Sequence, residues 1–326
     1  MRAALLEHAE DIIEPALPIV DPHHHIWTAA HGKYEYMMPE LLSDAHSGHT
    51  VTQTVYCECK QAFRQDGPAE LRPVGETEFV MAAVRAAGPA ADGLCAGLVM
   101  HTDMLLGSGA AAVLEAHRAA AGNRLKGIRH IVAHDPSPLV RSFAPAGLLA
   151  APQFRDGVRT LAAHGLVFET FIFHGQLGEL AALADACPKA VIVLDAFGGP
   201  LGIGPHKGRR AEVFAAWRRD MAELGRRPNM RVQIGGFGAR MLGFGFHAHD
   251  TPPSTETFAA AWEPYMTACL ESFGPARCML TSNFPEDGSS ISYRQLWNVF
   301  KHLCRSFSTD EKAMLFSRTA TQTYAL

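Results

Sequence analysis

Two rhythms of apolar and polar positions alternate along this chain. Short, nearly continuous apolar or β-branched runs occupy residues 16–21, 51–58, 94–101, 125–132, 166–173, 190–195, 230–235 and 277–282. Runs of that length without polar alternation predict strands buried on both faces, as in a parallel sheet. Between them lie segments with apolar residues at helical spacing: 76–87, 110–121, 153–164, 176–187, 209–225, 255–272 and 293–307. A shorter helix fits 39–46. Another fits 309–320, where Ser308 and Glu311 stand in capping-box spacing. Pro264 is expected to bend the 255–272 segment. Eight strand–helix units in one chain of 326 residues predict an α/β fold, a single (β/α)8 TIM-type barrel over 1–326. Residues 1–15 read as an N-terminal extension and 308–326 as an extra C-terminal helix. A doubly wound open sheet fits less well, because the first strand runs into DPHHHIW rather than a glycine-rich phosphate loop.

Composition narrows the classes. Hydrophobic residues are 48% and charged residues 19%, enough apolar side chain for a large core. Basic and acidic residues number 29 and 33 with no like-charge block, which argues against nucleic acid as a partner. No apolar stretch reaches the length of a membrane span. The N-terminus lacks the basic and apolar regions of a secretory signal. Seven scattered cysteines suit a reducing, cytoplasmic setting. Cys57 and Cys59 form C-x-C with no second pair, which reads as buried strand cysteine rather than a zinc ribbon. A homodimer is the base-rate expectation.

In such a barrel, chemistry sits at the C-terminal ends of the strands. The polar residues expected there are Asp21, His23, His24 and His25 from the first strand, and Glu58 and Lys60 from the second. The third supplies His101 and Asp103. The fourth supplies Arg129, His130 and His134, and the fifth Glu169 and His174. Asp195, Gln233, Ser282, Asn283, Glu286 and Asp287 follow from the last three. Strand alternation puts His23 and His25 on one face, where both imidazoles can share one metal or one substrate, and turns His24 to the helices. Arg129 and His130 are adjacent, so one points inward. Arg129 offers a planar fork suited to a carboxylate or an oxyanion. Lys60 is a second cation of that kind. His101 is a candidate substrate contact or a satisfied barrel histidine. Tyr34 and Tyr36, in the long first loop, are further candidate contacts. His247 and His249, on the loop 243–250, are candidates for a lid.

DPHHHIW resembles the opening motif of the amidohydrolase superfamily. The resemblance is closer to its amidohydrolase-2 branch, which contains sugar-acid lactonases and 2-pyrone-4,6-dicarboxylate lactonase. It extends through LKGIRHIVAHDP (125–136), FIFHGQL (171–177), VIVLDAFGGPLGIGP (191–205) and GPARCMLTSNFPEDG (274–288). It implies a (β/α)8 barrel and water-driven cleavage of a C–O or C–N bond. It also implies a ligand set of His23, His25 and His174, for a divalent metal such as zinc, although some lactonases of this branch work without metal. Two family positions differ here. Ala196 stands where relatives tend to carry histidine, and Asn283 where they carry aspartate; an amide cannot titrate as a base.

Three histidines still suffice for a catalytic zinc. The missing aspartate leaves Asp195 as the best remaining carboxylate to activate water, beside His23, His25 and His174. Without metal, such activation suits an activated ester better than an amide. The expected function is therefore ring-opening hydrolysis of a small, carboxylate-bearing lactone, held by Arg129, His101, Glu58, Lys60, Asn283 and Tyr34. The alternatives are a metal-dependent decarboxylase or other lyase on the same barrel, and a barrel that has lost hydrolysis and only binds a ligand.

Overall fold

The computed structural model describes residues 10–32, 34–249 and 253–326. All eight apolar runs form strands: β1 Pro18–His24, β2 Thr50–Cys57, β3 Gly97–His101, β4 Leu125–Arg129, β5 Val167–Thr170, β6 Ile192–Leu194, β7 Met230–Ile234 and β8 Cys278–Leu280. They pair in chain order, and each neighbouring pair from β1–β2 to β7–β8 is parallel. The sheet curls until β8 returns to β1. The seam closes just beyond the strand ends: Asn283 N–H donates to His23 O at 2.9 Å and His25 N–H to Phe284 O at 2.7 Å. The buried carboxylate of Asp21 locks it, accepting from Ser282 N at 3.0 Å, Ser282 Oγ at 2.6 Å and Tyr293 Oη at 3.1 Å.

Helices fill the crossovers: α1 Met38–Ala45, α2 Val74–Ala87, α3 Ala110–Ala121, α4 Pro152–Ala163, α5 Leu177–Ala186, α6 Arg210–Leu224, α7 Thr255–Phe273 and α8 Tyr293–Leu303. Pro264 stands inside α7 without ending it. The segment expected over 309–320 is three pieces: α9 Thr309–Ala313, a π-turn Met314–Arg318 and α10 Thr319–Tyr324. Its capping box is present, with Ser308 Oγ accepting from Glu311 N at 3.3 Å and Ser308 N donating to Glu311 Oε2 at 2.9 Å. Of the N-terminal extension, residues 1–9 lie outside the described residues. The stretch from Glu10 lies against α8, where Arg294 Nη2 donates to Glu10 O and Asn298 Oδ1 accepts from Ile13 N. Among the described residues no helix is long and apolar enough to cross a membrane. All seven cysteines are free thiols.

The barrel interior is layered by strand alternation. Val20, Val55, Val99, Val167, Val193 and Met279 form an apolar floor with Ala320 and Tyr324 from α10. Two residues further along several of these strands, the same inward face turns polar: Cys57 on β2, Glu169 on β5 and Asp195 beyond β6. Arg129 and Gln233 join them from β4 and β7. That polar layer is the base of the functional cavity.

Candidate active site

A cavity of about 620 Å³ opens above this layer at the C-terminal face. Residues at or beyond the ends of every strand except β3 line it: His23, His25, Glu58, Lys60, Arg129, Ile131, Phe171, Asp195, Ala196, Gln233, Gly235, Thr281 and Asn283. The size is typical of a small-molecule site. Lys60, Ala196 and Asn283 on its wall hold φ values of 64°, 43° and 51°, the left-handed region that L-residues avoid. Strain of that kind collects where a site over-determines the backbone. Gly235 is required by packing, because a Cβ there would lie 2.2 Å from Thr281 O.

His23 and His25 stand edge to face, ring centres 5.0 Å apart. His23 Nδ1 meets Gln233 Oε1 at 2.7 Å. The Gln233 amide nitrogen faces the Pro22 carbonyl and the Glu169 carboxyl, so its oxygen faces His23 and Nδ1 carries the proton. His23 Nε2 then accepts from Arg129 Nη1 at 3.2 Å. His25 Nδ1 donates to Cys57 O at 2.7 Å, which leaves Nε2 with its lone pair and no partner among the described residues. Burial lowers both imidazole pKa values, so both rings are neutral at pH 7.

Arg129 is the electrostatic centre. Its Nε donates to Glu58 Oε1 at 3.0 Å, Nη2 to Glu58 O, and Nη1 to Asp195 Oδ2 at 3.3 Å as well as to His23. Four of its five N–H groups are thereby committed to the protein. Sequence reasoning assigns Arg129 to the substrate; the structure shows it mainly holding three side chains in place. Burial raises the Glu58 carboxyl, but the charges of Arg129, His101 and Lys60 outweigh it and leave the pKa lowered, so Glu58 is ionised. Its Oε2 is buried without a partner. Asp195 behaves oppositely. Burial and the nearby Glu169 carboxyl push it up to about 8, against the pull of His23 and Arg129. Its Oδ1 is likewise buried without a partner.

Several expected residues sit elsewhere. His174 does not reach His23 and His25. β5 ends at Thr170, and Phe173 turns into a small cluster with Ala133, Val140 and Leu201. His174 then opens a 3-10 turn beside His206, ring centres 5.0 Å apart, off the cavity wall. His101 lies against Phe63 and His130 and bonds Arg129 O at 3.1 Å. It too is off the cavity wall. Tyr34 Oη donates to Pro285 O at 2.7 Å and so braces the loop after β8. Tyr36 is buried and donates to Asp44. His24 faces the helices as alternation predicts, bonded to Thr54 Oγ1 at 2.8 Å. His130 likewise faces outward, against Phe154. Asn283 lines the cavity and donates to Asp287 Oδ1 at 2.8 Å. The loop carrying His247 and His249 packs through Phe244 and Phe246 onto Tyr265 and Phe258, and Asp250 lies outside the described residues. Gln233, expected at the end of the seventh strand, bonds His23, and two participants were missed: Arg141 on the cavity wall, and Tyr324, which bonds Gln233 from below.

These residues do not fit a divalent ion. A guanidinium nitrogen already lies between His23 Nε2 and Asp195, where an ion held by both would have to sit. Among the described residues, the cluster of ligand-type atoms within 4.8 Å of one another is His23, Cys57 and Glu169. There His23 presents its Nδ1–H, and burial keeps the Cys57 thiol well above its ordinary pKa, hence protonated. His174, the third histidine of the expected set, is absent from the site.

A family model for the Amidohydrolase family matches residues 20–326. The chain belongs to that family. It is similar over 320 residues to the y4mH protein of Sinorhizobium fredii, at 25% identity, covering 94% of this chain and 98% of that one. It is 27% identical over 207 residues to an L-fucono-1,5-lactonase of Burkholderia multivorans, 63% of this amidohydrolase and 64% of the lactonase. Among solved structures, an amidohydrolase from Burkholderia multivorans with bound HEPES superposes with a TM-score of 0.71 at 22% identity, over 94% of this chain and 99% of that one. The fold is shared at that level. Another crystal form of the same relative holds zinc and superposes with a TM-score of 0.68.

Proposed function

We propose that this amidohydrolase opens a small lactone that carries a carboxylate, using water activated by His25. The observation that carries the reading is a pair of groups on one cavity. His25 offers an unprotonated Nε2, and Asp195 offers a carboxyl whose pKa near 8 keeps it protonated at neutral pH. His25 takes a proton from water as the water oxygen bonds to the lactone carbonyl carbon. Asp195 gives its proton to the ring oxygen as that C–O bond breaks. The product is a hydroxy acid, and the proton on His25 returns to Asp195 through solvent.

This assigns Asp195 the acid role rather than the water-activating one expected from sequence. Acid–base catalysis of this kind supplies roughly 10²–10⁴-fold, which suits an ester with a good leaving group better than an amide. The partial likeness to L-fucono-1,5-lactonase supports an ester substrate. Lys60 and Arg141 on the cavity wall supply positive charge for an anionic group.

A panel of sugar-acid, muconate-type and pyrone lactones, with and without carboxylates, tests the reading by proton release in a pH-stat. Ring opening that favours carboxylated members and survives a chelator is expected. Release of CO₂, or no turnover by the folded protein, overturns it.

A further inference from the structure

Helix α10 does more than close the barrel floor. Ala320 and Tyr324, four residues apart on one helix face, both enter the barrel interior among the valines of β1, β2, β3, β5 and β6. The π-turn Met314–Arg318 precedes them. Such turns shift a helix's facing by part of a turn and recur at functional sites. Ala325 O is tied to the barrel rim by Lys126 Nζ at 2.7 Å. Tyr324 is 1% exposed, and its hydroxyl has two partners. It donates to Glu169 Oε2 at 2.7 Å and accepts from Gln233 Nε2 at 2.9 Å. Those two residues are the ones that meet His23 Nδ1, Gln233 Oε1 at 2.7 Å and Glu169 Oε1 at 3.2 Å.

We propose that Tyr324 is a positioning residue, which sets the protonation geometry of the active site from the floor of the barrel through Gln233 and Glu169. Two consequences follow from the contacts. The hydroxyl accepts from the Gln233 amide nitrogen at 2.9 Å, against 3.4 Å for Pro22 O and Glu169 Oε2. It is the nearest of the three groups that hold the amide oxygen toward His23, where Nδ1 keeps the proton and Nε2 faces Arg129. By donating to Glu169, it favours the ionised form of that carboxyl. Glu169 lies near Asp195, and its charge raises the Asp195 pKa. A donor that keeps Glu169 charged therefore keeps the proton on Asp195, the acid of the proposed reaction. The groups facing this pair are His23 from β1, Cys57 from β2, Arg129 from β4 and Tyr324 from α10. A phenylalanine would fill the same space and supply neither bond.

The catalytic consequence rests on the lactone-opening reading, but the tautomer of His23 does not. The test therefore begins with ¹⁵N-histidine spectra of the full chain near neutral pH, with the His23 signals assigned by loss in His23→Gln. Wild type is expected to show a protonated Nδ1 and an unprotonated Nε2. In Tyr324→Phe, that pattern should give way to a mixture of tautomers. With a turned-over lactone, kcat should fall at least about tenfold with KM within about twofold, and the upper limb of the pH profile should move down. Glu169→Gln should reproduce the loss, and the double variant should fall no further than the worse single variant. If Tyr324→Phe does not fold, Glu169→Gln carries the test alone. A wild-type His23 tautomer with an unmoved pH profile in either variant overturns the proposal. Absence of turnover on every lactone leaves the spectra to decide it, and overturns only the reading of the reaction.

Discussion

Replacing Arg129 by methionine isolates what the buried guanidinium does for the fold. Arg129 faces Glu58 at 3.0 Å and Asp195 at 3.3 Å, and all three are nearly inaccessible to water. Methionine fills much of the stem but leaves the Glu58 charge without its bonded counter-ion. Breaking a buried pair in this way costs about 3–5 kcal/mol. An unfolding entropy of about 2.1 cal/mol/K per residue, over 326 residues, converts that cost to a melting temperature lower by about 4–7 °C. The sign with pH follows from Glu58. In the wild type its folded pKa lies below the ordinary 4.5, so its stabilising contribution is present above 4.5 and lost as pH falls through the folded value. In Arg129→Met, only the smaller pulls of His101 and Lys60 oppose burial, so the Glu58 pKa rises and the same carboxyl contributes less to the fold at neutral pH. Calorimetric melts at pH 7.5 and pH 4 should thus show a wide gap between the two proteins at the higher pH and a narrower one at the lower. A gap below 1 °C at pH 7.5, or one that does not narrow on acidification, would refute the assignment of Arg129 as the counter-ion.

Asp195→Asn should lower kcat by roughly 10²–10⁴-fold. In the wild type, activity should fall as pH rises through about 8, because the raised pKa means that the proton is lost there; a rate that rises through the same range would make Asp195 the base. Ser308→Ala removes the capping-box oxygen of α9 and should cost about 1 kcal/mol. The expected signs are a melting point lower by about 1–2 °C and faster amide exchange over Thr309–Ala313, and unchanged exchange there would count against the cap.

The barrel was legible because its strands are unbroken apolar runs and its helices keep a separate period. His23 and His25 were legible because H-x-H places two like residues on one face where a strand ends. His174 misled for a local reason. The apolar run 166–173 reads as one strand, yet the sheet takes only Val167–Thr170 and the phenylalanines beyond pack into a separate cluster. The partners of Arg129 could not be read, because Glu58 and Asp195 reach it from 71 positions before and 66 after. Tyr324 carries no local signal at all. Its meaning depends on the π-turn that aims α10 into the barrel, and on Glu169, 155 residues away.

The seam between β1 and the segment after β8 bears on how such a protein can change its chemistry. The peptides that join the sheet into a ring are those of His23, His25, Asn283 and Phe284, the same stretch that carries His25, the proposed base, and His23 beside it. Substitutions there are coupled: one that adjusts an imidazole also loosens the ring, and selection would see both effects at once. The far wall, with Arg141 and Phe143 on the loop after β4, carries no such double duty. New substrate preferences therefore have an open route through that loop, while the seam stays as it is.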